Sequence, residues 1–257
     1  MQTINLSVTS GVATIELDRP GALNAFDQAM RLELLAAIER VEADDEVRVV
    51  VIRGAGRGFS AGADLHDVMA GYATIEEQIK AEYKPFLTRI ASSEKVYIAS
   101  VHGAAAGIGA ALAMTCDLML MAESAYIYQA FAAIALLPDG GATWHLVNTL
   151  GYKRAFESIV FADKLSAKRC VEWGLANRQV PDDQLIHVTC EWAERLANGA
   201  PLAQRAVKQA LYQAMRLDLP GTIDLEARLQ NMTIQSRDHR EGAAAFFEKR
   251  APRFEGA

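Results

Sequence analysis

The sequence predicts an α/β protein on three observations. Runs of β-branched and aliphatic residues stand at Val12–Leu17, Val47–Ile52, Val96–Val101 and Leu118–Met121. Helical periodicity fills the space between several of them. From about Thr143 onward the pattern is mostly helical. Strands that read as continuous apolar runs and alternate with helices indicate buried parallel pairing.

The elements follow in order. Val12–Leu17 ends at the breaker Asp18-Arg19-Pro20-Gly21. Asp27 is placed as an N-cap, and Met30, Leu34, Leu35, Ile38 and Val41 then recur at helical spacing. Val47–Ile52 is stopped by Gly54, Gly56 and Gly58. Thr74-Ile75-Glu76-Glu77 is a capping box that opens a second helix. Small residues from Gly103 to Ala113 separate the last two strands. Further on, Ala203, Val207, Ala210, Leu211 and Ala214 share one face of an amphipathic helix. No low-complexity linker divides the chain, and no fixed-period repeat is visible.

The 257 residues are half hydrophobic, enough for one large domain or a domain with an appended subdomain. A net charge of −6 argues against nucleic acid as the main partner, because phosphate binding needs a clustered basic surface. Cys116, Cys170 and Cys190 form no CxxC or Cys/His metal spacing and suit a reducing compartment. The N-terminus lacks the charge and apolar run of a signal peptide, the C-terminus Glu255-Gly256-Ala257 is no retention or peroxisomal signal, and no apolar stretch reaches membrane-spanning length. The expectation is a cytoplasmic protein without a membrane partner.

Two small-residue segments are the candidates for chemistry. Gly56 to Leu65 follows a strand and opens with GxGxxA, a weak dinucleotide pattern with Glu76 at a suitable distance. A glycine turn without any ligand fits it equally well. Gly103 to Ala113 lies at a strand-to-helix junction, where unobstructed N–H groups and the helix dipole could stabilise an oxyanion. Close helix packing would use the same residues. Neither segment is a P-loop.

Five ordered blocks make the chain similar to the crotonase (enoyl-CoA hydratase/isomerase) family over essentially its whole length. They are Arg19 to Ala25, Phe59 to Leu65, Gly103 to Asp117, Leu165-Ser166-Ala167 through Trp173-Gly174-Leu175, and Glu241-Gly242 to Lys249-Arg250. The resemblance implies a spiral of ββα turns over residues 1–195, followed by a helical trimerisation region over 196–257. It implies a homotrimer or hexamer and a substrate that itself contains coenzyme A, with no separate cofactor or metal. By the same carry-over, the N–H groups of Ala63 and Ile108 form an oxyanion hole. Ala22, Leu23, Ala61, Gly62, Asp64 and Leu65 lie along the CoA moiety, and Lys249 reaches a neighbouring subunit's CoA phosphate.

The identity of the proton acceptor decides the reaction. Family hydratases carry two glutamates where this chain has Ala111 and Phe131. The remaining candidate is Asp139, in Pro138-Asp139-Gly140, a block resembling the family isomerases, including the ring-epoxide isomerase of phenylacetate breakdown. A turn residue or helix N-cap is the plainer reading of the same residues. As an acid/base in an apolar pocket walled by Phe131, Ala132, Ala133 and Ile134, Asp139 would shift a double bond. The alternatives are hydration, nucleophilic dehalogenation or hydrolysis of an aromatic acyl-CoA, and a non-catalytic acyl-CoA-binding oligomer. His66 is displaced, and Phe131 replaces tryptophan, relative to the dehalogenases. Of the other histidines, His102 reads as a satisfied core residue, and His145, His187 and His239 lack ligand-like partners.

Overall fold

The computed structural model describes residues 1–69 and 71–257. A hairpin opens the chain: β1 (Ile4–Thr9) runs antiparallel to β2 (Val12–Leu17). The helix α1 (Gln28–Glu42) then starts at Asp27, whose carboxylate accepts the Met30 N–H at 2.8 Å. Its buried stripe is Met30, Leu34, Ile38 and Val41, as the spacing requires. The strand β3 (Val49–Gly54) starts two residues later than the apolar run suggests. Arg48 turns its guanidinium to the carbonyls of Ala197 and Phe254, and Val47 closes a turn onto Asp44.

The capping box is used as expected, with the Thr74 hydroxyl accepting the Glu77 N–H at 3.2 Å. It opens α2 (Ile75–Gln78), which passes through a π-helical turn (Ile79–Tyr83) into α3 (Lys84–Ser92). Three strand pairs follow. β4 (Val96–Val101) leads to β5 (Ala104–Ala106) and the fully buried α4 (Ile108–Thr115). β6 (Leu118–Ala122) leads to β7 (Tyr126–Tyr128), a 3₁₀ turn (Ala130–Ile134) and α5 (Ala142–Val160). β8 (Lys164–Ser166), α6 (Ala167–Glu172) and β9 (Arg178–Val180) complete the strands.

Successive turns place one strand in each of two layers, which is the expected spiral. The large sheet has the order β1-β2-β3-β4-β6-β9 and is parallel after its first pair. The small layer is β5-β7-β8. Two isolated parallel bridges, Ser60 to Ala105 and Phe26 to Ala63, carry that small layer back through the earlier turns. Every residue of β4 is buried, consistent with a central strand covered on both faces.

The chain ends in α7 (Leu185–Ala197), α8 (Pro201–Ala214), α9 (Leu219–Ile234) and α10 (Arg237–Glu248). α7 packs on β2, β3, β4 and β6, whereas α8 pairs chiefly with α9. The apolar face read from the sequence of α8 points outward. Val207 and Leu211 are 57% and 63% exposed, and the helix instead docks through Ala206 and Lys208. Lys208 Nζ donates to Asp117 and to the carbonyls of Ile90 and Lys95, so a cation anchors the inward face. Among the described residues, no helix is long and apolar enough to cross a membrane.

Candidate active site

Two backbone segments meet beyond the ends of β3 and β4. The first runs from Gly54 to Leu65. It joins the small layer by Ser60 N–H to the Ala104 carbonyl and Ala106 N–H to the Ser60 carbonyl, both at 2.9 Å. Three residues on, Phe26 N–H bonds the Gly62 carbonyl and Asp64 N–H bonds the Phe26 carbonyl. In that parallel bridge the neighbours of Ala63 make both bonds, so the Ala63 N–H points away from Phe26. It donates to no described residue.

The second segment is the entry to α4. Gly107, at φ 51° and ψ −124°, takes a conformation that only glycine adopts readily. Its own N–H bonds the Tyr128 carbonyl, while the next N–H, of Ile108, has no acceptor among the described residues. The helix start leaves that group free, and its dipole favours negative charge there. The two segments abut: a Cβ on Gly62, at φ +98°, would lie 2.9 Å from the Ala106 carbonyl oxygen. Gly62 is therefore required for the approach that brings the Ala63 and Ile108 segments together.

Asn24 holds the first segment in place, a role the sequence reading missed. It is fully buried in the left-handed region, and its Nδ2 donates to the carbonyls of Ala55, Gly58 and Phe59. Its carbonyl accepts the Ser60 hydroxyl, and the neighbouring Leu23 carbonyl accepts the Ala61 N–H at 2.8 Å. Leu23 and Ala61, both expected along the CoA moiety, are thus brought together, with Ala22 beside them in the same turn. Asp64 is committed to structure. Its carboxylate accepts the His66 N–H and pairs with Arg19, and these two hold it below the usual carboxylate range. Leu65 is 66% exposed.

Asp139 reaches the same junction from the segment between β7 and α5. It caps no helix: Gly141 is the N-cap of α5, and the Asp139 side chain takes no part. A Cβ on the adjacent Gly140 would meet Ile108 Cδ1 at 2.3 Å, Ala111 Cβ at 3.0 Å and Leu87 Cδ1 at 3.3 Å. The loop that carries the aspartate therefore packs, at Gly140, against the first turn of α4 and the inner face of α3. Its Oδ1 is buried without a hydrogen-bond partner, and burial pushes the carboxyl up to about 6.

The apolar wall differs from the one expected. Phe131 is half-buried, its ring 3.6 Å from where a Gly107 Cβ would be. Ala132 and Ala133 are exposed and Ile134 is 51% exposed, because the short 3₁₀ turn lifts them off the core. Ile108, Ala111 and Leu87 lie around Gly140, the residue after Asp139. Lys249 is exposed at the end of α10. The C-terminal tail lies beside Arg48, at the opposite end of β3.

Arg31 is the largest buried polar side chain and was not anticipated. Its guanidinium bonds Glu82 at 2.6 Å, Asp67 at 2.7 Å and the Phe26 carbonyl at 2.8 Å. Glu82 also accepts from Gln28 and Tyr72, so one ionic cluster fastens Asp67, Tyr72 and Glu82 to α1. Two of the histidines have structural partners: His102 bonds the Gly56 carbonyl and is half-exposed rather than core, and His145 bonds Thr115. Burial pushes His145 down to about 4. A cavity of about 830 Å³ opens behind Gly140 and Gly141, between α3, α5 and α8. Trp144, His145, Lys208 and Tyr212 line it, and Ala63, Ile108 and Asp139 do not.

A family model described as enoyl-CoA hydratase/isomerase matches residues 7–257. A probable enoyl-CoA hydratase of Rhodobacter capsulatus is 43% identical over 99% of this chain and 98% of its own. The 1,2-epoxyphenylacetyl-CoA isomerase of Escherichia coli is 36% identical over 100% of this chain and 99% of its own. Among solved structures, an enoyl-CoA hydratase subunit I of Geobacillus kaustophilus superposes with a TM-score of 0.93 at 35% identity, covering 99% of this chain and 98% of that one. With the spiral fold and this whole-length match, the chain belongs to the enoyl-CoA hydratase/isomerase family.

Proposed function

We propose that the protein is an acyl-CoA isomerase that moves a double bond through an enolate, with Asp139 carrying the proton. The Ala63 and Ile108 N–H groups would hold the thioester oxygen, which lets the α-carbon lose a proton because the charge rests on oxygen. Asp139 takes that proton from one carbon and returns it to another. The carrying observation is the Asp139 Oδ1, buried and unpaired on the loop whose next residue, Gly140, packs against the start of α4. Ala111 and Phe131 cannot transfer a proton, which leaves water addition without the pair of glutamates expected of the hydratases. CoA is part of the substrate.

A panel of enoyl-CoA thioesters in deuterium oxide tests this reading. The wild type should exchange α- or γ-hydrogens and convert one positional isomer to the other. Asp139→Asn keeps the shape without the base and should lower kcat by about 10²–10⁴-fold, with Kd for the thioester little changed. Full isomerase activity in well-folded Asp139→Asn protein would end the assignment, and a 3-hydroxyacyl-CoA product would favour hydration.

The assembly belongs to the same reading. Val207 and Leu211 leave an apolar stripe on α8, and Phe246 and Phe247 of α10 are 79% and 81% exposed. A trimer or multiple of three would cover such surface and would let Lys249 serve a neighbour's CoA phosphate. Sedimentation equilibrium at micromolar concentration should give three protomers or a multiple, and a monomer would remove this part of the proposal.

A further inference from the structure

A second polar group faces the same junction from α3. Tyr83 ends the π-helical turn that joins α2 to α3. Such one-turn segments change the direction of the side chains they carry and recur at functional sites. Here Tyr83 is turned inward: it is 4% exposed, edge-on to Phe86, with the Arg31 guanidinium over its ring at 5.3 Å.

Its position is bounded on two sides. Arg31 Nη1 donates both to the Tyr83 oxygen, at 3.3 Å, and to the Phe26 carbonyl, at 2.8 Å. That carbonyl also accepts the N–H of Asp64, the residue after Ala63. On the other side, Leu87 lies one helical turn beyond Tyr83, on the face packed against Gly140. Tyr83 thus stands between the segment that holds Ala63 and the loop that holds Asp139. Burial first, and then the charge of Asp139, push its phenol up to about 12 against the opposing Arg31, so it stays protonated at neutral pH.

The phenol oxygen accepts from Arg31, and its own hydrogen has no acceptor among the described residues. Leu87, Ile108 and Ala111, which wall the neighbouring Gly140, offer none, and the Asp139 Oδ1, whose charge reaches the phenol, is not hydrogen-bonded to it. A buried hydroxyl hydrogen is normally satisfied, so an acceptor brought by the substrate completes the arrangement. The thioester oxygen is already provided for by the two backbone N–H groups of the reading above, on which this inference rests. We propose that Tyr83 is a substrate-specificity residue that donates a hydrogen bond to an oxygen on the acyl group, so that the preferred substrates are acyl-CoA thioesters bearing an epoxide, hydroxyl or ketone oxygen.

Binding of butyryl-CoA, 3-hydroxybutyryl-CoA, 3-oxobutyryl-CoA and 4-hydroxybutyryl-CoA, followed by calorimetry, tests this. The wild type should bind at least one oxygenated thioester about tenfold or more tighter than butyryl-CoA, the scale of one well-made hydrogen bond in a dry site. Tyr83→Phe keeps the ring against Phe86 and Arg31. It should erase that preference while leaving butyryl-CoA affinity within about threefold. A wild type without preference, or a Tyr83→Phe protein weakened equally toward all four, overturns the proposal. Hydrogen exchange at the α-carbon of butyryl-CoA keeps the two readings apart, since its absence in the wild type counts against proton transfer by Asp139 and leaves the binding comparison readable.

Discussion

The two halves of the site are built from different material. The half that would hold the thioester oxygen is backbone: the Ala63 and Ile108 N–H groups, fixed by Gly62, Gly107, Asn24 and two parallel bridges. The half that would choose the reaction is side chain: Asp139, Tyr83 and Phe131, carried on loops and a helix edge. A backbone site tolerates change in almost every side chain around it, provided the glycines that allow the close approach remain. A side-chain site could change its chemistry by single replacements, such as Ala111 and Phe131 where the resemblance puts the glutamates of the hydratases. Damage to the first half should therefore affect every thioester, and damage to the second half should depend on the acyl group.

The largest expected effect comes from breaking the backbone half. In Gly62→Val the new Cβ would lie 2.9 Å from the Ala106 carbonyl oxygen, at a φ of +98° that valine does not adopt without strain. The two segments must part, and the Ala63 N–H leaves its place. Loss of one oxyanion donor costs about 10²–10³-fold in kcat. The loss should be alike for every thioester in a panel, and circular dichroism should verify that the sheet survives. Selective loss toward one acyl type would mean that Gly62 belongs to the acyl pocket, and the contrast between the halves would fail.

The same contrast explains what was legible in the sequence. Strand runs, the Asp27 and Thr74 caps and the small residues of Gly103 to Ala113 are local signals, and each maps onto the element it suggests. The joint role of the Ala63 and Ile108 N–H groups was implied only by family resemblance, because no local pattern states that Gly62 approaches the Ala106 carbonyl. Arg31 and Glu82 were invisible for a related reason. Each looks like an ordinary charged residue in a helix, and only their meeting across 51 positions makes a buried pair. A charge inside the stripe Met30, Leu34, Ile38 was the available signal. On α8 the apolar stripe was read correctly as a face, but its direction depends on Lys208 finding Asp117, which periodicity does not encode.

The smallest effect sharpens the side-chain half and concerns stability rather than rate. The Asp139 carboxyl is pushed up to about 6 by burial, whereas an unfolded aspartate titrates near 3.9. The folded state therefore holds the proton more tightly than the unfolded chain. Any stabilisation from this group is complete below about pH 4 and is lost as pH rises through about 6, where a buried carboxylate with an unpaired oxygen remains. The amide introduced by Asp139→Asn carries no charge at any pH. The stability of Asp139→Asn relative to wild type should consequently rise between pH 4.5 and pH 7.5, and then level off. The full shift converts to about 3 kcal/mol, and partial exposure of the residue reduces the expected gain to about 1–2 kcal/mol. Other carboxylates are common to both proteins and cancel in the difference. Urea unfolding of both proteins at the two pH values, at one fixed protomer concentration, measures it. An equal difference at both pH values would mean that Asp139 is solvated like a surface aspartate, and its suitability as a base near neutral pH would lose its physical cause.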